Sequence, residues 1–128
     1  MKPALLVGGL LCIAGFACRN STGPLGHLVV LDVDKVEAPA TISSTNAIDV
    51  VLNVMTSPCQ SFARIDAARS SASVKLTVFG RDPEKGCIDL GVLQPQGYRI
   101  EPPFAPGVFT ITIDRGTQPS LIAKVQVQ

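Results

Sequence analysis

Four cysteines carry the most distinctive chemistry of this chain: Cys12, Cys18, Cys59 and Cys87. A thiol can take a lipid, form a disulfide or bind a metal. A zinc site needs about four ligands, yet no two of these cysteines form a C-x-x-C pair and the single histidine, His27, is far from the last two in sequence. We therefore predict no metal site and no cofactor, and the surrounding segments decide between lipid and disulfide.

The first seventeen residues are typical of a targeting segment. Lys2 gives a positive start, and residues 3–17 carry no charge. That length suits the apolar core of a signal peptide and is too short to span a membrane. A buried helix is the alternative, but three glycines in this run would weaken it by roughly 1 kcal/mol each. We predict that residues 1–17 are cleaved off.

The apolar run ends in the tetrapeptide GFAC, residues 15–18. This stretch, with small Gly15 and Ala17 before Cys18, resembles the lipobox of bacterial lipoprotein precursors. The resemblance implies that Cys18 becomes the first residue of the mature protein, linked to diacylglycerol and acylated on its new amino group. Several acyl chains hold a protein stably at a membrane, whereas one chain gives only marginal binding. Ordinary secretion, with cleavage after Ala17 and a free thiol at Cys18, is the alternative.

The count of cysteines agrees with a lipid at Cys18. If Cys12 leaves with the signal peptide and Cys18 carries lipid, Cys59 and Cys87 remain in an exported domain, where disulfides persist. We predict a disulfide between these two. It would close a loop of roughly 29 residues and contribute about 3.6 kcal/mol on the chain-entropy model.

A flexible linker, residues 18–27 with the lipidated cysteine at its start, leads to one predicted domain, residues 28–128. The part after the cysteine, RNSTGPLGH, is rich in turn formers and reaches about 30 Å when fully stretched. The domain should therefore work close to the membrane. The lipobox implies the bacterial cell envelope. Arg19, rather than aspartate, after the modified cysteine resembles the sorting pattern for the outer membrane of Gram-negative cells.

The charge of the chain is balanced, with 11 Lys and Arg against 10 Asp and Glu. No basic cluster stands beside interleaved aromatic residues, which argues against nucleic acid as a partner.

The predicted domain consists of successive strands. Apolar and polar residues alternate with the period of two that marks a half-buried strand, most clearly at residues 47–54, 73–79, 108–114 and 120–127. Residues 28–36 and 97–102 supply two more strands, and residues 115–119 form a hairpin-like turn. Six or seven short strands with no long helical pattern predict an all-β fold, a two-sheet antiparallel β-sandwich of about seven strands.

Residues 57–71 permit two predictions, a helix and a strand. Ser57 and Gln60 have the spacing of a capping box, and Pro58 suits a first helical position. We favour a strand, because Cys59 and Ile65 would share one face and the segment could form a hairpin with residues 73–79. That hairpin places Cys59 opposite roughly residue 81, so the loop at residues 80–86 could return Cys87 to it.

Residues 103–114, PFAPGVFTITID, are similar to the proline-glycine-aromatic lead into a late strand of bacterial immunoglobulin-like domains. The resemblance covers roughly residues 28–127 and implies an immunoglobulin-like architecture, but no functional residues. The chain has no tryptophan, and its cysteines are closer in sequence than the pair that joins the two sheets of an antibody domain.

A few polar residues are of types that occur in metal sites or in acid–base catalysis. Asp32 and Asp34 are two apart, hence on one strand face at roughly 7 Å, with Glu37 nearby. They could form half of a calcium site or a carboxylate pair, but the ligand spacing of a calcium loop is absent, and a solvated strand end is the preferred interpretation. His27 lies beside no nucleophile in a recognisable motif. We predict no catalytic residues and no enzyme.

Aromatic side chains offer a candidate partner surface. Phe62, Phe79, Tyr98 and Phe104 could leave an apolar patch on one sheet, although such residues more often belong to a core.

Two functions therefore remain open. The leading one is a membrane-anchored, non-catalytic module of the cell envelope that binds a protein or glycan or has a structural role. The alternative is an accessory inhibitor or chaperone-like lipoprotein that acts on an envelope enzyme through the loop at residues 80–86, in which case Arg81 or Lys85 is essential.

Overall fold

A computed structural model describes residues 26–82 and 91–128. The predicted signal peptide, the lipobox with Cys18, most of the linker, and Cys87 lie outside these residues. The described chain forms nine strands and no helix: β1 (His27–Val30), β2 (Asp32–Glu37), β3 (Thr41–Ile42), β4 (Ile48–Thr56), β5 (Ser61–Arg69), β6 (Ser73–Asp82), β7 (Val92–Ile100), β8 (Gly107–Arg115) and β9 (Gln118–Val127). The prediction of an all-β fold is confirmed.

The strands form two sheets. The larger sheet has six strands in the order β1-β6-β8-β9-β3, with β5 paired to β6, and the smaller has the order β2-β4-β7. Two pairs, β3 with β9 and β6 with β8, are parallel. The predicted two-sheet arrangement holds, but the prediction that all pairs are antiparallel is wrong, because alternation of apolar residues says which side chains are buried and not which strand lies alongside.

The core lies between the sheets and follows the predicted alternation. In β4 every second residue from Ile48 to Val54 is at most 1 % exposed, since successive side chains of a strand point to opposite faces. The facing sheet contributes alternate residues of β6, β8 and β9. The buried apolar residues are Leu31, Val33, Ile48, Val50, Leu52, Val54, Val74, Leu76, Val78, Ile100, Phe104, Phe109, Ile111, Ile113, Val125 and Val127.

The chain passes from one sheet to the other at Leu31. The sequence predicts one strand over residues 28–36, but β1 pairs with β6 of the larger sheet and β2 pairs with β4 of the smaller. Leu31 is buried between them, and its N–H donates to the carbonyl of Val78 at 2.8 Å. Gly80 leaves room for this leucine, because a Cβ at that position would come within 2.6 Å of the Leu31 side chain.

Residues 57–71 contain the strand β5, which confirms the favoured prediction. The segment that precedes β5 is a turn, in which the Ser57 N–H donates to the Gln60 side chain at 3.0 Å and the Gln60 N–H donates to the Ser57 carbonyl at 3.1 Å. The side-chain contact of a capping box is thus present, but it closes a single turn. The antiparallel hairpin of β5 and β6 is confirmed, with Ser61 opposite Arg81.

Candidate functional site

The two ends of the sandwich differ, and their positions follow from the strand register. At the first, which we call the linker end, His27 of β1 lies opposite Asp82 of β6, and the turn between β8 and β9 lies nearby, because β8 runs parallel to β6. In that turn Gly116 has a φ of 72°, a conformation that favours glycine. The linker that precedes His27 therefore joins the domain at this end.

The opposite end, which we call the far end, carries the β5–β6 turn, the connection from β7 to β8, and the short strand β3 with the turn that follows it. Two open depressions lie there. One, of about 580 Å³, is lined by Pro39, Thr41, Ile42, Ser43, Asn46, Ala47, Asp49 and Gln128. The other, of about 390 Å³, is lined by Arg69, Ser70, Ser71 and Pro103. The far end is the candidate functional site of the described residues.

The larger depression presents hydroxyl, amide and carboxylate groups. Its floor is ordered by backbone hydrogen bonds, including those from the Gln128 N–H to the Ile42 carbonyl at 2.9 Å and from the Asn46 N–H to the Ser43 carbonyl at 3.0 Å. The carboxylate of Asp49 accepts hydrogen bonds from Arg99 on the neighbouring strand at 2.9 and 3.3 Å. These bonds, with the negative charge of Asp49, raise the pKa of Arg99 above its ordinary value. Such a lining suits hydrogen bonding to a polar ligand.

Arg69 holds the smaller depression together. Its guanidinium donates to the carbonyls of Ser70, Glu101 and Pro103, with the bond to Glu101 at 2.6 Å. The same group lies 4.8 Å above the ring of Phe104 and 5.3 Å above that of Phe109. Five N–H donors in a planar fork allow one arginine to fix several carbonyls, while the cation is attracted to the aromatic faces. Arg69 thereby fastens the connection between β7 and β8 over the end of the core.

Asp32 and Asp34, for which a carboxylate pair was the less favoured interpretation, do not form a shared site. A bulge at Asp34 shifts the register of β2 against β4, and it breaks the alternation that put Asp32 and Asp34 on one face. Asp32 instead accepts two hydrogen bonds from Arg115 of β8, at 2.8 and 3.4 Å, and so links the two sheets. Those bonds raise the pKa of Arg115 above its ordinary value, while partial desolvation opposes the rise. Asp32 is therefore engaged in a structural ion pair. The Glu37 Oε2 atom lies 3.8 Å from Lys35 Nζ in an exposed ion pair.

The remaining predicted residues are dispersed. His27 begins β1 rather than ending the linker. The four aromatic residues form no single patch: Phe104 is buried, Phe62 and Tyr98 pack against the core from different sheets, and Phe79 lies under the guanidinium of Arg64 at 4.9 Å. Among residues 26–82 and 91–128, no three His, Cys, Asp or Glu side chains are grouped closely enough to hold a metal ion. Within the same part of the chain no helix is long and apolar enough to cross a membrane.

Cys59 lies in the exposed turn between β4 and β5, and its predicted partner Cys87 is outside the described residues. The ends of the segment that carries Cys87 are nonetheless placed. Asp82 accepts a hydrogen bond from Gln60 at 3.1 Å, and Val92 is opposite Thr56. Both ends thus lie beside residues 56–60, which keeps the predicted bridge within reach. The loop expected at residues 80–86 begins later than predicted, because Gly80, Arg81 and Asp82 belong to β6.

The chain matches no protein-family model, no curated protein sequence and no solved structure in the three comparisons made. The immunoglobulin-like resemblance therefore stays a prediction.

Proposed function

We propose that this protein is a membrane-anchored, non-catalytic module of the bacterial cell envelope that uses its far end to bind a protein or glycan. The anchor is the lipid on Cys18, and the domain is exported by the signal peptide at residues 1–17. The proposal for the anchor is supported by the sequence of that segment and by the GFAC motif.

The observation that supports a binding role is the separation of the two ends. The linker joins the sandwich at His27, next to Asp82, whereas the two depressions described above lie where the opposite strand ends meet. A short linker keeps the domain close to the membrane, since nine extended residues reach only about 30 Å. Attachment at one end leaves the other accessible to a partner.

The chemistry of the larger depression favours a polar partner. Thr41, Ser43 and Asn46 offer donors and acceptors in an open setting, which is suited to glycan hydroxyls or to the backbone of a protein loop. An inhibitor that acts through residues 80–86 is less favoured, because Arg81 is paired with β1 on one side and β5 on the other and lies at the linker end.

The anchor is tested by replacing Cys18 with alanine. In the unmodified sequence, we expect the mature N-terminal peptide to begin at Cys18 and to carry the mass of a diacylglycerol and an acyl chain, and the protein to partition into detergent. The Cys18→Ala variant should lose both the added mass and the partitioning, because no thiol remains to take the lipid. Intact-mass spectrometry and detergent phase separation measure these two properties.

Cys12→Ala is the matched control, since this cysteine is predicted to leave with the signal peptide and its replacement should change nothing in the mature protein. A mature chain that starts at Cys18 with no acyl mass would indicate ordinary secretion. An unprocessed chain that starts at Met1 in the cytosol would refute export altogether.

Binding at the far end is tested by placing a long, positively charged side chain in the larger depression. We expect Asn46→Arg to reduce capture of partners from detergent-solubilised envelope by about tenfold, which corresponds to about 1.4 kcal/mol of binding free energy. Thr117→Arg is the control, because Thr117 is an exposed turn residue at the linker end. Thermal unfolding establishes that both variants are folded. Equal capture by the two variants, or a loss confined to Thr117→Arg, would place the binding surface elsewhere.

A further inference from the structure

One sheet edge of the described residues is long and regular. Edge strands expose unpaired N–H and C=O groups that can pair with another chain, and proteins usually shorten or interrupt them. Here β1 has four residues and β3 has two, β2 is broken by its bulge, and β7 contains Pro95, which has no N–H. By contrast, β5 has nine residues and no proline, and it is regular from Arg64 to Arg69.

The hydrogen bonds of β6 show which groups of β5 face outward. The Ser70 N–H donates to the Ser73 carbonyl at 2.8 Å, so that pair is hydrogen-bonded across the hairpin. Backbone groups of an antiparallel strand face its two neighbours alternately. Ala68 and Asp66 therefore direct their N–H and C=O groups toward β6. Arg69, Ala67 and Ile65 direct theirs to the edge that no described strand covers.

The charges along β5 are complementary to themselves about Ile65: reversing the strand puts Asp66 where Arg64 was. Arg64 and Asp66 flank this residue on the outer face, where their side chains form an ion pair at 2.8 Å with about half of each exposed. If a second copy of β5 pairs antiparallel with Ile65 opposite its own copy, each Arg64 lies opposite the Asp66 of the other chain. Opposite charges at facing positions stabilise strand pairing. Pairing centred on Ala67 would instead place Arg64 opposite Ser70 and Asp66 opposite Ala68.

The backbone permits the register that the charges favour: among Ile65, Ala67 and Arg69, only Ile65 as the centre puts opposite charges at facing positions. In this register Ala67 comes opposite Ala63, at the bulge of β5, so the regular part of the contact runs from Arg64 to Asp66. Ile65 directs its own N–H and C=O groups outward, so the central pair of that register is a hydrogen-bonded pair. The neighbouring alanines, Ala67 and Ala68, are exposed and short, which lets another strand approach.

We infer that β5 is the contact strand of a homodimer, in which two copies pair antiparallel about Ile65 and the two six-stranded sheets become one continuous sheet. The occupant of this edge is a second copy of the chain, because the charges of β5 complement themselves. The inference rests on β5 alone and does not depend on the lipid or on the far end. In the dimer the two linker ends point in opposite directions.

Charge reversal tests the register. Arg64→Glu makes the outer face of β5 acidic, and Asp66→Arg makes it basic. In sedimentation equilibrium of the full chain in non-ionic detergent, each variant alone should self-associate at least about tenfold more weakly than the unmodified chain, because facing like charges are destabilising. An equal mixture of the two should regain association, because acidic and basic strands then face each other. Lys75→Glu, on the exposed face of β6, is the matched control and should associate normally.

A backbone variant and a cysteine pair keep the test independent of charge. Ala67→Pro removes one outward N–H without removing a bond to β6, and should abolish the dimer while the thermal midpoint is retained. When Arg64→Cys and Asp66→Cys chains are produced in the same cells, they should form a mixed disulfide, because facing non-hydrogen-bonded residues lie about 4.5 Å apart at Cα. An unmodified chain that stays monomeric throughout the concentration series, or charge variants that associate as it does, would overturn the inference.

Discussion

Phe109→Ala is expected to lower the free energy of unfolding by about 3 to 5 kcal/mol, the usual range for removing a buried phenylalanine. Phe109 is 0 % exposed, and its ring meets that of Phe104 edge to face, with centroids 5.0 Å apart and an interplanar angle of 74°. Arg69 covers both rings. The substitution thus leaves a cavity and also removes an aromatic partner from the layer that closes the core. Urea denaturation measures the change, with an unaltered slope if the variant still unfolds in one step.

Val108→Ala is the matched control in the same strand. Val108 is 51 % exposed, and surface substitutions usually change stability by about 0.5 kcal/mol or less. If the two alanine variants proved equally stable, Phe109 would not belong to the core that the structure gives it.

Loss of the bridge predicted between Cys59 and Cys87 should lower the free energy of unfolding by about 3.6 kcal/mol, because the unfolded chain regains the freedom of a loop of roughly 29 residues. The single variants Cys59→Ser and Cys87→Ser and the double variant should all lose a similar amount, since each removes the same bond and the effects of coupled residues do not add. Denaturant unfolding under non-reducing conditions gives the three values. The mass of the unreduced protein gives an independent reading, lower by two hydrogen atoms if the bridge is present.

The unmodified protein under reducing conditions is the control for these variants, and it should match them. Losses that add in the double variant, or a chain whose mass does not change on reduction, would show that the two cysteines act separately.

Strands with clear alternation could be predicted from the sequence. In residues 47–54 and 73–79 an apolar residue occupies every second position, and the structure buries those positions. The same criterion placed β5, although its alanines and the Ser57–Gln60 contact permit a helix when each is considered locally. Backbone pairing with β6 decides in favour of the strand, which is a tertiary effect.

Two features of the fold had no local signal. The run LVVL at residues 28–31 is apolar throughout, so nothing in its pattern marks Leu31 as the point where the chain changes sheets. The parallel pairing of β6 with β8 joins Ser73 to Thr110, and a period of two is the same for parallel and antiparallel strands. The sequence therefore predicted the layers better than the order of strands.

The candidate site was harder to predict for a similar reason. Arg115 is 83 positions from Asp32, and Arg69 meets carbonyl groups more than thirty positions away. Both look like ordinary surface charges in the sequence. Nothing in the local sequence distinguishes Arg69 from Arg64 of the same strand.

The position of β1 determines how the domain would respond to mechanical tension between the proposed anchor and a proposed partner. A pull on the linker is applied to His27 along the axis of β1, whose residues pair with β6 from Asp82 to Phe79. Tension in that direction acts on all these interstrand hydrogen bonds at once, in shear, instead of opening them one after another. Beyond Leu31 the same segment enters the second sheet, so force is passed to both layers and the tether resists extraction better than a strand lying on one sheet alone.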